Sequence, residues 1–309
     1  MIITVTLNPT LDKTVEIPGF AVGNVNRITS LRLDPGGKGI NVSKVIRSWG
    51  GTSRAIGILG GGTGSHVKTY LDEQGIENDF VFVSADTRTN LKVIDPLNHT
   101  NTDINEPGSP VTGEVLEAVE QRLLQDLGEG DIVVLAGSVP GGVDTGIYRR
   151  WITLCNQRGA KTILDADGEL FSEGLKACPY LVKPNNFELE RICGKPLTTR
   201  EDLVAAGKTL LDGGVRKAVI SLGGEGALFL DGGQVIHGHG LQVPVLSTVG
   251  AGDSMVASLA LSEQQQLPLE EAVRHAIATS AANVMCSGTQ AAKREAIEPL
   301  IGQVTYAKL

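Results

Sequence analysis

The sequence predicts an α/β protein in three layers, α/β/α, with a mostly parallel central sheet and a small β-sheet lid. Three observations predict it. Short, wholly apolar runs alternate with segments of helical apolar spacing, the pattern of parallel strands covered on both faces. Glycine is abundant, 39 of 309 residues, and collects at the ends of those runs, where backbone must approach a ligand. Two further stretches alternate apolar and polar residues with no helix between them, as in sheets wetted on one face. The length suits one unit over residues 1–309, with lid strands inserted at about 12–34 and 87–104.

Taken in order, Asn41–Trp49 and Gly64–Gln74 read as helices around a strand over Arg54–Leu59. The lid stretches carry Leu31 and Leu33, then Leu91 and Val93, at strand spacing. Their apolar face could also pair with a second subunit, so a homodimer through the lid is expected. Beyond them Ile132–Leu135, Thr162–Leu164 and Ala218–Ile220 are strands. Between the first two, Thr145–Gln157 places Ile147, Trp151 and Leu154 at helical spacing and stops at Gly159. The last third reads as helices over Asp253–Leu261, Leu269–Met285 and Ala291–Ile301, with Pro268 and the pair Glu270 and Glu271 at the start of the second.

Net charge is −8, which argues against broad nucleic-acid or anionic-membrane binding while leaving room for a local basic pocket. The opening residues lack a basic segment and are too short for a signal peptide, and no apolar run approaches the length of about 18 that spans a bilayer. Cys155, Cys178, Cys193 and Cys286 are scattered without a C-x-x-C pair, as expected of free thiols in a reducing cytoplasm.

Two glycine-rich segments carry the chemistry. In Pro35-Gly36-Gly37-Lys38-Gly39-Ile40-Asn41, a loop passes close to a ligand and opens a helix whose free N–H groups favour anions or hydroxyls, with Lys38 and Asn41 projecting into the same space. A tight strand-to-helix turn explains the same residues equally well. In Thr248-Val249-Gly250-Ala251-Gly252-Asp253, small residues open a second helix and cluster backbone donors at its positive end, a nest for charge on a transferring phosphoryl group. Asp253 sits in the first turn, where the dipole is expected to keep its carboxylate ionised and able to accept a hydroxyl proton. The alternative is that Asp253 is a simple N-cap.

Other patterns fail on inspection. Gly207-Lys208-Thr209 lacks the first glycine of a P-loop, Asp202 standing in its place, and lies in an amphipathic helix over Glu201–Leu211. No dinucleotide fingerprint is complete. His237-Gly238-His239 has no third ligand nearby and reads as a loop between strands.

The two glycine segments together, in this order, resemble the signature motifs of the ribokinase/phosphofructokinase-B family of carbohydrate kinases, a resemblance running from Ile3 to about Gly288. The first matches throughout, including Gly50 and Gly60; the second matches through Asp253 and Ala257 and departs at Ser258, where the family has alanine or glycine. The opening Thr4 to Asp12 and the Pro35 to Asn41 run are most similar to the 1-phosphofructokinase and tagatose-6-phosphate kinase branch.

The resemblance implies a ribokinase-like fold and ATP-dependent phosphorylation of a ketohexose monophosphate. Fructose 1-phosphate is the expected acceptor, giving fructose 1,6-bisphosphate; tagatose 6-phosphate and fructose 6-phosphate are the alternatives. It implies that Asp12, Gly37 and Asn41 bind sugar hydroxyls, that Ser138 floors the sugar pocket, and that Lys38 and Arg88 hold the acceptor's phosphate, with Arg27 on the lid a further candidate. Lys183-Pro184-Asn185-Asn186-Phe187-Glu188 matches the family's K-P-N-x-x-E run, so Asn185 and Glu188 would organise Mg2+ through water beside ATP, with Lys183 close by. Ser221, Gly223, Gly226, Thr248 and Asn283 would border the nucleotide. Asp253 would be the base, with Gly250, Ala251 and Gly252 forming the anion nest. A non-catalytic sugar-phosphate sensor and a dinucleotide oxidoreductase are the rival readings.

Overall fold

A computed structural model describes residues 1–309. Its fourteen strands are β1 Ile2–Thr6, β2 Thr10–Glu16, β3 Ser30–Gly36, β4 Arg54–Gly60, β5 Glu77–Val83, β6 Arg88–Asp95, β7 Thr100–Ile104, β8 Ile132–Ala136, β9 Lys161–Asp165, β10 Leu181–Val182, β11 Lys217–Ser221, β12 Gly226–Asp231, β13 Gln234–His239 and β14 Tyr306–Lys308. Its ten α-helices are α1 Lys38–Ser48, α2 Gly61–Glu73, α3 Gly113–Leu124, α4 Ile147–Gln157, α5 Gly168–Leu175, α6 Asn186–Cys193, α7 Arg200–Asp212, α8 Ala251–Gln264, α9 Leu269–Val284 and α10 Arg294–Ile301.

Ten strands form one sheet in the order β14-β13-β12-β11-β10-β9-β8-β1-β4-β5. Neighbours from β11 to β5 are parallel, and the β11 to β14 edge is antiparallel. The strand β8 shows why three layers form. All five of its residues are buried, and the two-residue period sends Val133 and Leu135 into one core and Ile132, Val134 and Ala136 into the other. The first core is closed by α3 to α7, through Leu123, Trp151, Phe171, Leu189 and Leu210 among others. The second is closed by α1, α8, α9 and α10 through Val42, Ile46, Val256, Ile277 and Ile297.

The lid is a separate four-stranded sheet, β3-β2-β6-β7. Its register pairs Thr10 with Gly36 and Arg88, Asp12 with Asp34 and Asn90, and Thr14 with Arg32 and Lys92. These polar residues share one face by the strand period, while Leu31, Leu33, Leu91 and Val93 lie on the other. The polar face roofs the cleft over the main sheet, and the apolar face points away from it.

Several element boundaries differ from the sequence reading. Helix α1 starts at Lys38 rather than Asn41, because Gly37 at φ 108° serves as its N-cap. Helix α8 likewise starts at Ala251 behind Gly250 at φ 81°, so Asp253 is inside the first turn and is not the cap. His237 and His239 lie on strand β13 rather than in a loop, where His237 Nε2 meets the Glu225 carbonyl and His239 Nδ1 meets Thr305 Oγ1. No group of three His, Cys, Asp or Glu side chains forms a metal cage, no helix is long and apolar enough to cross a membrane, and all four cysteines are free thiols.

Close packing of α1 on β1 sets the geometry of the cleft. At Gly39 a Cβ would overlap the Val5 carbonyl and the Thr6 hydroxyl. Gly39→Ala is therefore expected to lower stability by about 1–3 kcal/mol through overpacking. Urea unfolding would show this as a lower midpoint at unchanged slope, whereas an unaltered midpoint would mean α1 can lift freely from the sheet.

Candidate active site

The C-terminal ends of parallel strands are where α/β sheets gather ligands, because loops and helix N-termini converge there. Here β1, β8, β9 and β10 deliver Asn8, Ser138, Asp165 and Lys183 to one cleft, and α1 and α8 aim their N-termini into it. The lid adds Asp12, Asp34, Arg88, Asn90 and Lys92 from above, enclosing a cavity of about 640 Å³.

Neither α1 nor α8 has a side-chain cap. At α8 the Ala251 N–H has only a long bond to the Thr248 carbonyl, 3.4 Å, and those of Gly252 and Asp253 have no backbone acceptor outside the helix. Donors left free at the positive end of a helix suit an anion. The two helices are joined across the cleft by Asn41 Nδ2, which donates to Asp253 Oδ2 at 2.8 Å.

Beneath them lies a buried charge cluster. Asp165 Oδ1 accepts from Lys38 Nζ at 3.2 Å and lies 3.5 Å from Lys183 Nζ. Burial pushes the Asp165 carboxyl up, but the two ammonium groups outweigh it and hold it below the usual carboxylate range. Burial likewise works against the Lys38 ammonium, and the carboxylates of Asp165, Asp253 and Glu188 overcome it and raise it. Asp253 takes the opposite course. Burial, with the Asp165 charge, pushes it up to about 6, against the opposing pull of Lys38, Asn41 and Lys183. The helix dipole alone favours a fully ionised carboxylate, as the sequence predicts; desolvation wins over it.

Asn185 and Glu188 form a capping box at the start of α6: Glu188 N donates to Asn185 Oδ1 and Asn185 N to Glu188 Oε2, both at 2.8 Å. That leaves Glu188 Oε1 outside the box. Asp165 Oδ2 is buried with no partner. These few hard oxygens suit a cation that keeps most of its waters, the habit of Mg2+, rather than an all-protein cage.

A second cavity of about 380 Å³ adjoins the first and shares Asn185, Ser221 and Gly252 with it. Its polar edge holds Gly223, Gly226 and Thr248, and its wall is apolar, with Leu241, Val243, Val245, Ile277, Ala281 and Val284.

The residues singled out in the sequence fall mostly into these two spaces. Asp12, Gly37, Lys38, Asn41, Arg88, Ser138, Lys183, Asn185, Glu188, Ser221, Gly250, Gly252 and Asp253 line the first. Ala251, Gly223, Gly226 and Thr248 line the second. Two fall outside. Arg27 lies exposed on the loop before β3 and lines neither cavity. Asn283 is buried behind Gly250, its amide directed to the Val249 carbonyl at 3.4 Å, so it braces the nest instead of facing the apolar cleft. Lys38 also shifts: its ammonium sits on Asp165 beside Asp253, away from the lid. Arg88 spends its guanidinium on the carbonyls of Asn8, Pro9 and Glu106 at 3.1, 3.4 and 2.9 Å, while staying on the cavity wall.

Sequence reasoning missed Asp165, and its signal was present: a charged residue ends the apolar run Thr162-Ile163-Leu164, at the end of a strand where ligands gather. The apolar wall of the second cavity comes from two separate stretches, 241–245 and 277–284, and carries no local pattern.

This fold and site define a carbohydrate kinase. The chain belongs to the pfkB family of carbohydrate kinases, whose pattern it matches over residues 5–296. It is 37% identical to 1-phosphofructokinase of Bacillus subtilis over 100% of both chains, and 35% identical to that of Vibrio cholerae over 100% of this chain and 97% of the relative. Its backbone resembles phosphofructokinase-2 from Escherichia coli in complex with substrates and products, with a TM-score of 0.94 at 32% identity over 98% of each chain.

The raised Asp253 carboxyl has a consequence for stability. The folded chain binds this proton more tightly than the unfolded chain does, so ionising Asp253 above about pH 6 costs stability, and the cost vanishes below the ordinary value of 3.8. Asp253→Asn should therefore melt at a higher temperature than the parent at pH 8, with the gain shrinking toward pH 4. A variant that melts lower at both pH values would contradict the burial argument.

Proposed function

We propose that the protein transfers the γ-phosphoryl group of ATP to the 6-hydroxyl of fructose 1-phosphate, giving fructose 1,6-bisphosphate and ADP. The observation that carries this is the placement of one buried carboxyl, Asp253, beside unpaired helix N–H groups, with cations both below it and across the cleft on the lid.

Adenosine occupies the apolar second cavity, and its phosphates run over Gly223 to Gly226 toward Gly250 to Asp253. Asp253 takes the hydroxyl proton as the sugar oxygen bonds to the γ-phosphorus, and the bond from that phosphorus to the β,γ-bridging oxygen breaks. The N–H groups of Gly252 and Asp253 face the charge on the transferring group, as does the long-bonded Ala251 N–H. Lys183 and Lys38 lie at this end and neutralise the departing ADP. Asp165, Asn185 and Glu188 would hold Mg2+ through its waters, and that ion would supply further charge neutralisation on the phosphates.

The acceptor's own phosphate then belongs at the lid, where Arg88 and, four residues along on the same strand face, Lys92 offer positive charge. Asp12, fixed by Asn90 Nδ2 at 3.1 Å, and Asn41 hold sugar hydroxyls between the two ends. The polar lid face shields the cleft, so that water does not compete as the nucleophile.

Two measurements test the chemistry. Specificity constants for fructose 1-phosphate, tagatose 6-phosphate and fructose 6-phosphate should rank the first highest; a preference for an unphosphorylated sugar would overturn the role of the lid cations. Asp253→Asn should bind both substrates and lose about 10²- to 10⁴-fold in turnover. Retention of more than about a tenth of the parent rate would exclude it as the base.

The outward lid face supports a homodimer. Leu31, Leu33 and Ile104 are about half exposed there, and Val22, Val25 and Leu97 on the adjoining loops are more so. Exposed apolar side chains gathered on one sheet face and its adjoining loops suit an association surface. Light scattering should give twice the 32.5 kDa chain mass, and Leu31→Lys with Leu33→Lys should return it to one chain. A parent protein that stays monomeric across concentrations would rule the lid dimer out.

A further inference from the structure

Lys44 is a buried ammonium for which the phosphoryl transfer described above has no use. It projects from α1 one turn after Asn41 and is only 6% exposed. Its Nζ donates to the Pro35 carbonyl at 2.9 Å and to the Thr289 carbonyl at 2.8 Å, with Asn41 Oδ1 at 3.5 Å. Pro35 lies in β3, at the root of the lid. Thr289 lies in the segment after α9 and, with Gly288, lines the same cavity as Asp253.

We propose that Lys44 is a positioning residue that acts on Asp253 through Asn41, an inference that rests on reading Asp253 as the base. An ammonium offers three donors and no acceptor, so it tolerates only oxygen toward it. Asn41 is an amide with one oxygen end and one nitrogen end. With Oδ1 turned to Lys44, Nδ2 must point to Asp253 Oδ2, where it sits at 2.8 Å. Rotating the amide by half a turn would set its nitrogen against the ammonium and its oxygen against the carboxylate, two repulsive contacts at once. Lys44 therefore keeps a hydrogen-bond donor on Asp253 in either of its protonation states and favours the ionised, proton-accepting form. By spanning Pro35 and Thr289, it also ties the lid root to the far wall of the cavity, so the amide is held in a frame that cannot shift on one side alone.

The surroundings of both groups bear on this. Lys44 is faced by Asp34 and Arg32 from β3, Asp12 from β2, Asp253 from α8 and the Tyr70 ring from α2 at 5.8 Å. Burial brings its ammonium down to about 8, and those three carboxylates oppose the fall. Asp253 is faced by Asp165 from β9, Lys38 and Asn41 from α1, and Lys183 after β10. Lys44 and the Asp253 carboxylate attract one another, so removing the Lys44 charge takes away one influence that favours the ionised form of Asp253.

The test is a double-mutant cycle on turnover as a function of pH. Lys44→Met is expected to move the acidic limb of the turnover profile up by about one pH unit, about tenfold in rate on that limb, and to leave the KM for ATP within about twofold. Lys44→Arg, which keeps donors and charge, should return the limb toward the parent. Lys44→Met and Asn41→Ala should be strongly non-additive, because the first acts through the second. A residue with a merely structural role would lower turnover equally at every pH and multiply with Asn41→Ala. An unmoved limb, or full additivity, would overturn the proposal. Should Lys44→Met not fold, the same cycle with Lys44→Gln, which loses the charge, decides it. If Asp253→Asn itself stays active, the base assignment fails; if it is inactive while the limb stays still, only the Lys44 role fails.

Discussion

Asp165 sits at the end of a central strand with almost no access to water, and two ammonium groups lie within 3.5 Å of one of its oxygens. A buried carboxylate is tolerable only when opposite charge is supplied close by, and removing one partner of such a pair typically costs 3–5 kcal/mol. The rest of the cleft is arranged around meeting that condition. Lys38 must come from the first turn of α1, which requires the glycine turn before it; Lys183 must come directly off β10. With both cations committed to Asp165, the neighbouring carboxyl of Asp253 receives only part of their field. It is left poised, not locked in its ionised form.

This balance connects architecture to chemistry. A carboxyl held at about 6 is a stronger base than an exposed one, yet is still mainly ionised near neutral pH. The same burial that tunes it also destabilises the fold locally, a common relation between active sites and stability. The two helix N-termini that converge on it serve different purposes. That of α8 leaves its first N–H groups free of backbone acceptors, whereas that of α1 delivers Lys38 and Asn41, one toward Asp165 and the other onto Asp253. The lid contributes its polar face to the cleft and leaves apolar side chains on its other face, so the two faces of one sheet meet different surroundings.

Much of this was legible in the sequence, for physical reasons that differ by element. The strands β8, β9 and β11 announce themselves because full burial on both faces demands unbroken apolar runs. The glycine turns at Gly37 and Gly250 are legible because a positive φ and a close approach exclude other residues. The antiparallel edge β12 to β14 was not, since a histidine pair on β13 looked like loop chemistry until its partners, the Glu225 carbonyl and Thr305, were in place. Lys38 could be named as functional from its motif, but its partner Asp165 lies 127 residues away, so its position beside that carboxylate is a tertiary fact. The resemblance sets Asn283 at the border of the nucleotide, and the structure puts it one layer behind, against Gly250. Lys44 was invisible because a lysine on an apolar helix face has no motif; its meaning lies in three acceptors drawn from separate segments.

The most direct test of this account is the ionisation of Asp253 in the ligand-free protein, followed by difference infrared spectroscopy between the parent and Asp253→Asn. The account predicts that the carbonyl stretch of a protonated, buried carboxylic acid appears in the parent as pH falls, with a midpoint near 6, and is absent from the variant. A midpoint near the ordinary 3.8, or a band that persists in the variant, would contradict it.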